Sequence, residues 1–330
     1  MFPFESMEKF PHLLVLDFDG VICDGLQEYF QTSCQVCRQI WPDLPQEKLD
    51  HQRDNFYFLR PAIETGWEMP LLLKALATGI EPTAIEAAWP TVAQTLQRQE
   101  QIGKSQLAPA LDQVRDNYIH NDLTYWLGLH HFYPGVIGQL NHWLQSPYPQ
   151  WLYVVTTKEG RFVQQLLKNQ KVDFPLDQII GKEIKQPKFK TLEQLLVKHQ
   201  CPGDRLWFVE DMLSTLERVA DQPILEQASL FLAAWGYNTP NSRELAKQQN
   251  RFHLLSLQQF SAPFLDNAKK IPRYCLGFTG VNLREKAKFC QRFFRSGDND
   301  LLSQKFVQSY CSTSIISVYS LPSSSSTMVT

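Results

Sequence analysis

The sequence predicts an α/β fold: a parallel sheet covered by helices on both faces, interrupted after its first strand by a long helical insert. Three observations lead there. Between residues 151 and 234, short apolar runs of strand character alternate with segments of helical periodicity, the pattern of parallel strands joined by crossover helices. One further run of that character, Leu13–Leu16, stands far upstream of the others. The residues between, 24–149, show helical periodicity with few β-branched interruptions, so they read as a helical module inserted into the sheet domain.

Taken in order, Leu13–Leu16 is short, apolar and followed by a turn, hence a buried strand. Within the insert, helices are expected over Tyr29–Ile40, Pro70–Ala77, Glu81–Gln99, Leu107–His120 and Gly135–Leu144, with Pro82 and Pro109 as start signals. The sheet resumes at Trp151–Thr156, Gln178–Ile180, Arg205–Val209 and Ser229–Ala234, separated by helical patterns at Arg161–Asn169, Thr191–Lys198 and Leu213–Val219. The expected division is a core of 1–23 with 150–265, a helical insert of 24–149, and an atypical tail of 266–330. The tail carries basic residues from Lys269 to Lys286 and a serine run, Ser323–Ser326. It is expected to be poorly ordered or to derive from a shifted reading frame.

Composition narrows the function classes. A length of 330 residues with 43% hydrophobic residues suits roughly two packed domains. A net charge of −2 gives no footprint for nucleic acid. No run approaches the roughly 18 apolar residues of a membrane span, and Met1–Phe10 lacks the apolar centre of a secretory signal. Seven cysteines do not make a disulfide framework in a chain this long; they fit a reducing compartment, and a cytoplasmic location is expected. Cys34 and Cys37 form a CxxC without a second pair, and read as two small apolar residues on a helix rather than a redox or zinc motif.

The chemistry concentrates at strand ends, where parallel sheets bind ligands. Asp17-Phe18-Asp19-Gly20-Val21 places two carboxylates one residue apart after a buried strand. Such crowding is costly without a cation, and two hard oxygen ligands favour Mg²⁺. Asp17 is positioned to attack phosphorus and form an aspartyl-phosphate. Asp19 can protonate the leaving oxygen, then deprotonate water, and reach Mg²⁺ through its backbone carbonyl. Thr156, with Thr157 beside it, ends the next strand, where a hydroxyl and backbone N–H groups suit phosphate oxygens. Lysines 182–190 precede a helix; Lys188 is the first choice to neutralise the phosphoryl oxygens and Lys185 the second. Glu210-Asp211 repeats the acidic pair after another buried strand, Asp211 as a metal ligand and Glu210 as a secondary candidate for substrate contact. In the insert, Arg60 lies in an Arg-Pro-Ala-Ile-Glu-Thr-Gly-Trp-Glu segment. It is expected first to pair with Glu64 at helical spacing, and otherwise to reach an acidic group on a substrate.

These four motifs in this order resemble the haloacid-dehalogenase-like hydrolase superfamily. They are Asp17-Phe18-Asp19-Gly20-Val21, Val155-Thr156-Thr157-Lys158, Lys188 within 185–192, and Val209-Glu210-Asp211. The resemblance covers about Pro11–Thr239. It implies a Rossmann-like parallel sheet, Mg²⁺-dependent phosphoryl transfer from a small phosphorylated metabolite through Asp17, and a C1-type helical cap between the first two motifs. Thr156-Thr157-Lys158 is similar to the Thr-Asn-Lys of phosphoglycolate-phosphatase-like members. Phe208–Leu216 and Trp235-Gly236-Tyr237-Asn238-Thr239 resemble an uncharacterised cyanobacterial and plant subgroup. Two positions depart from the common fourth motif: Glu210 replaces a glycine, and Thr215 the distal aspartate. Other chemistries of the superfamily stay open, namely a mutase, a phosphonatase or a non-catalytic binding protein. A phosphonatase needs a cap lysine, for which Lys74 and Lys104 are the candidates.

Overall fold

The structure, a computed structural model, describes residues 11–146 and 151–261. The tail of 266–330, and what its sequence suggests, lies outside the described residues. The chain begins with β1 (Leu13–Leu16), turns through the first acidic motif, and continues as a short strand, β2 (Cys23–Asp24). Six helices follow: α1 (Leu26–Ile40), α2 (Gln46–Asp50), α3 (Arg53–Leu59), α4 (Met69–Ala77), α5 (Pro82–Gln99) and α6 (Lys104–Asn121). Their inward faces bury a cluster of their own around Phe30, Phe56, Leu72, Ile85 and Leu107. Within α5 the backbone leaves helical geometry at Ala88, two residues before Pro90, whose ring and missing N–H disrupt the preceding turn. Pro109, expected to mark a helix start, sits inside α6, which begins at Lys104.

After α7 (Leu123–Gly128), β3 (His131–Phe132) pairs antiparallel with β2, Cys23 opposite Phe132 and Asp24 opposite His131. This clasp holds the two ends of the insert side by side. The following helix, α8 (Val136–Leu144), buries Val136, Leu140 and Trp143 in the cluster beneath the main sheet, as does Trp126 of α7. By packing, then, the end of the 24–149 segment lies with the sheet, and 26–121 forms the separate helical body.

The remaining elements are β4 (Leu152–Val155), α9 (Gly160–Asn169), β5 (Ile179–Ile180), α10 (Lys188–Lys198), β6 (Leu206–Glu210), α11 (Leu213–Ala220), β7 (Ser229–Ala233), α12 (Pro240–Gln248), β8 (Phe252–Leu255) and α13 (Leu257–Ser261). The main sheet has the order β5-β4-β1-β6-β7-β8, and every pair in it is parallel. The sixth strand, β8, was not expected from the sequence. The sheet is α/β and Rossmann-like, with β1 at its centre.

Two consequences of this order position the site. The chain builds outward from β1 to β5, then crosses to β6 on the opposite side, so the switch in direction falls beside β1, where open α/β sheets form a ligand crevice. Side-chain alternation does the rest. Leu13 and Val15 of β1, with Leu206 and Phe208 of β6, face α10 and α11; Leu14, Leu16, Trp207 and Val209 face α8 and α9. With Leu16 opposite Val209, Asp17 and Glu210 fall side by side on the α10 face.

One buried carboxylate of the helical body is held by an ion pair. Glu28 of α1 is wholly buried and is held by Arg115 of α6 through Nε at 2.7 Å and Nη2 at 3.2 Å, and by the Thr32 hydroxyl at 2.8 Å. Burial pushes the Glu28 carboxyl up, but the charges of Arg115 and Lys158 and the Arg115 hydrogen bond more than reverse this, leaving it well below its ordinary 4.5. Arg115→Met strands that carboxylate and is expected to lower unfolding free energy by roughly 3–5 kcal/mol at neutral pH. A depressed pKa contributes stability above the unfolded value that is lost as pH falls, so the deficit narrows below about pH 4. Denaturant unfolding of the single variant and of Glu28→Met/Arg115→Met checks this: the double variant recovers most of the loss, and a double variant as weak as the single one contradicts the pairing.

Candidate active site

The first acidic motif closes tightly on itself. The Phe18 carbonyl accepts the N–H groups of Val21, Ile22 and Cys23, and the Gly20 N–H donates to the Cys23 carbonyl at 2.8 Å. Gly20 has φ +84, and a Cβ there would collide with the Asp211 carboxylate, so only glycine lets the loop turn and lets the second acidic pair come this close. The Asp17 N–H donates to the Val209 carbonyl at 2.9 Å, carrying the β1–β6 register to the catalytic candidate.

The structure brings most of the expected residues together around a cavity of about 180 Å³, lined by Asp17, Asp19, Thr157, Lys188, Glu210 and Asp211 from the sheet side, and by Arg60 and Arg115 from the helical body. Lys188, the first residue of α10, is the hub. Its Nζ lies 2.9 Å from Asp17 Oδ2 and 2.6 Å from Glu210 Oε2. Burial alone would lower its pKa, but the Asp17 and Glu210 charges raise it, so it stays cationic. Of the two lysine candidates Lys188 lines the cavity, whereas Lys185 is exposed, with φ +51, and is not among the cavity-lining residues.

Carboxylate oxygens of Asp17, Glu210 and Asp211 lie within 4.8 Å of one another, all buried. This trio shares Asp17 and Asp211 with the expected metal set and adds Glu210; the side chain of Asp19, the residue expected to reach the metal through its backbone carbonyl, lies 3.3 Å from Lys158 Nζ. Burial pushes Asp17 up to about 7, against the pull of Lys188. Burial likewise pushes Glu210 up to about 7 and Asp211 to about 6, the Asp17 charge adding to the latter. Asp17 Oδ1 is buried and has no hydrogen-bond partner. An unpartnered carboxylate oxygen among three crowded acids fits a hard divalent cation, which takes one or two carboxylates and keeps waters. Asp17 and Asp211 would hold it, with Glu210 drawn partly away by Lys188.

The remaining expected residues are placed as follows. Thr156 is buried, and its hydroxyl accepts the Lys158 N–H at 3.2 Å; Thr157 is the threonine on the cavity wall. Arg60 does not pair with Glu64, which bonds Arg218 at 3.0 Å. Instead Arg60 donates to the Ile63 carbonyl at 2.7 Å and lies over the Tyr237 ring, 4.4 Å from its centroid. Neither Lys74, which pairs with Glu100, nor the exposed Lys104 lines the cavity. Cys34 and Cys37 are free, buried on α1, and burial pushes their thiols up, Cys34 to about 12, which suits packing rather than redox chemistry.

Several site residues escaped the sequence reading. Lys158 was visible as the end of the second motif but had no role; here it holds Asp19. The Trp235–Thr239 segment proves to be the scaffold of the fourth motif. Trp235 Nε1 donates to the Val21 carbonyl at 3.1 Å, the Tyr237 N–H to Asp211 Oδ2 at 2.7 Å, and Asn238 Nδ2 to the Asp211 carbonyl at 3.1 Å. The Tyr237 hydroxyl accepts from the Gly25 N–H and donates to Asp24 Oδ1 at 2.8 Å. Gly236 sits where a Cβ would strike the Gly20 carbonyl and Asp211.

No family model matches the chain, and no curated protein matches it. Among solved structures, it is similar to a haloacid dehalogenase-like family hydrolase from Streptococcus pneumoniae, at 18% identity over 74% of this chain and 93% of that one, with a TM-score of 0.44. It is also similar to a haloacid dehalogenase-like protein from Agrobacterium tumefaciens, at 12% identity over 79% of this chain and 100% of that one, with a TM-score of 0.47. A third is a "predicted phosphoglycolate phosphatase" from Haemophilus somnus, at 16% identity over 75% of this chain and 95% of that one, with a TM-score of 0.45. At identities and TM-scores this low, the reading of the site rests on its own side chains.

Raised carboxyl pKa values set the sign of a pH test. Groups whose folded pKa exceeds the unfolded value, here 3.8 or 4.5, leave stability intact below about pH 4 and remove it as pH rises through about 6–7. A cation bound among the charged forms acts in the opposite direction. Adding Mg²⁺ at about 5 mM is therefore expected to raise the thermal midpoint more at about pH 8 than at about pH 5. Differential scanning fluorimetry reads this directly, and an equal or absent shift at both pH values removes the cluster as a cation site.

Proposed function

We propose that the chain is a Mg²⁺-dependent phosphatase of the haloacid-dehalogenase-like type, acting on a small phosphorylated metabolite. The observation that carries this reading is the meeting of Asp17, Lys188, Glu210 and Asp211 at the sheet's switch point, with Asp17 Oδ1 unpartnered. A divalent cation, when bound, supplies positive charge to the nucleophile and the phosphoryl oxygens.

The chain's own groups account for the rest. A carboxylate oxygen of Asp17 bonds to phosphorus as the bond from phosphorus to the ester oxygen breaks. Lys188 Nζ, 2.9 Å from Asp17, orients that carboxylate and offsets the charge of the transferring group. Glu210 keeps Lys188 in place from the other side. Asp19, steadied by Lys158, gives a proton to the departing oxygen and later takes one from water. That water attacks the aspartyl-phosphate, phosphate leaves, and Asp17 is restored. The α1–α6 body closes the cavity on its open side and limits water.

Asp17→Asn keeps the side-chain volume and removes the nucleophile. Hydrolysis of p-nitrophenyl phosphate with Mg²⁺ is expected to fall on the order of 10³-fold or more, while circular dichroism stays unchanged. Lys188→Met is expected to cost about 10²-fold, as for loss of a donor aimed at developing charge. Undiminished turnover by a folded Asp17→Asn would falsify the reading.

A further inference from the structure

Five cations line the cavity: Arg60, Arg115, Lys158, Lys188 and Arg218. Four of them meet a carboxylate: Arg115 meets Glu28, Lys158 meets Asp19, Lys188 meets Asp17 and Glu210, and Arg218 meets Glu64. Arg60 meets none among the described residues. It is only 7% exposed, one of its nitrogens donates to the Ile63 carbonyl, and its buried Nε has no partner. Two aromatic faces support it, Tyr237 at 4.4 Å and Tyr29 at 5.4 Å from the ring centroids. Asp19 and Asp211, whose charges reach it, are committed to Lys158 and to the Tyr237 N–H.

A buried guanidinium without a counter-charge is expensive, and cation–π contact offsets part of that cost. Its planar fork matches carboxylate or phosphate geometry. Lys188 already serves the end of the cavity where phosphorus must sit; Arg60 enters from the helical body.

We propose that Arg60 binds an anionic group on the leaving portion of the substrate. The favoured substrates are then small phosphate monoesters carrying a second negative group, a carboxylate or a second phosphate. This rests on the phosphatase reading. The Tyr29 and Tyr237 rings fix the guanidinium, so the anion meets a preformed site rather than an ordered-on-binding side chain.

Matched pairs of esters test this. 3-Phosphoglycerate against glycerol 3-phosphate exchanges a carboxylate for a hydroxymethyl group; 1,3-propanediol bisphosphate against 3-hydroxypropyl phosphate does the same for a second phosphate. In at least one pair the anionic member is expected to have the higher kcat/KM by roughly 10- to 100-fold, the range of a hydrogen-bonded charge. Arg60→Met is expected to bring that ratio near one, chiefly through KM, and Arg60→Lys to keep part of it. Ratios near one in the wild type for both pairs, with p-nitrophenyl phosphate hydrolysed, overturn the inference. An equal loss on all four esters in Arg60→Met also overturns it, since Arg60 then serves the transferring phosphoryl group. If no ester, p-nitrophenyl phosphate included, is turned over, the phosphatase reading fails. Thermal shifts of the Asp17→Asn protein with the same four compounds then decide the anion site, which stands if the anionic members stabilise more and Arg60→Met abolishes the difference, and falls otherwise.

Discussion

The site is organised around carboxylates that ordinary folding energetics would expel from the interior. Asp17, Glu210 and Asp211 are all but fully buried at the ends of two neighbouring strands, where each charged form loses hydration it cannot recover from its neighbours. Sheet register makes the crowding unavoidable. Once Leu16 stands opposite Val209, Asp17 and Glu210 must share a face and a level. Lys188 between them is therefore a condition of the arrangement, supplied by the helix that follows the outer strand β5 and packs under the same face. The oxygen of Asp17 that Lys188 does not satisfy, Oδ1, is the part of the arrangement that asks for a ligand.

Backbone geometry rather than side-chain charge holds the second acidic pair against the first. Gly20 and Gly236 leave no Cβ in a space that the Asp211 carboxylate fills, and Tyr237 and Asn238 clamp Asp211 through an N–H and an amide. The Tyr237 ring then carries Arg60, and its hydroxyl ties Asp24 and Gly25 at the start of the insert. One five-residue segment after β7 thus connects the fourth motif, the first motif, and the base and one arm of the helical body.

Much of this was legible in the residues. Apolar runs ending in acids marked β1 and β6, because a buried strand has a strong pattern and a strand-end carboxylate breaks it visibly. Lys188 stood out because it precedes a helix. What was not legible depends on contacts distant in sequence. Phe252–Leu255 is a strand because β7 lies beside it; a four-residue run containing His253 carries little pattern of its own. Glu64 lies at helical spacing from Arg60, but the chain there makes a single 3-10 turn over Arg60–Ala62 and then extends at Ile63, so the spacing does not bring the two together. Lys158 and Arg115 gain meaning only from Asp19 and Glu28, which lie 139 and 87 residues away.

The contacts between the helical body and the sheet domain differ in kind, and the difference bears on access to the cavity. At the rim they are ion pairs: the half-buried Lys182 with Asp112 at 2.7 Å, and the solvent-exposed Arg161 with Asp116 at 2.5 Å and Arg218 with Glu64 at 3.0 Å. Pairs of this sort are each worth about 0–1 kcal/mol and weaken with salt. At the base, the β2–β3 clasp is paired backbone to backbone, and the hydroxyl of the buried Tyr237 ring ties Asp24 and Gly25. Separation at the rim therefore costs far less than separation at the base. The Arg218–Glu64 pair borders the cavity of about 180 Å³, so salt that screens this pair loosens the rim of the cavity before its base.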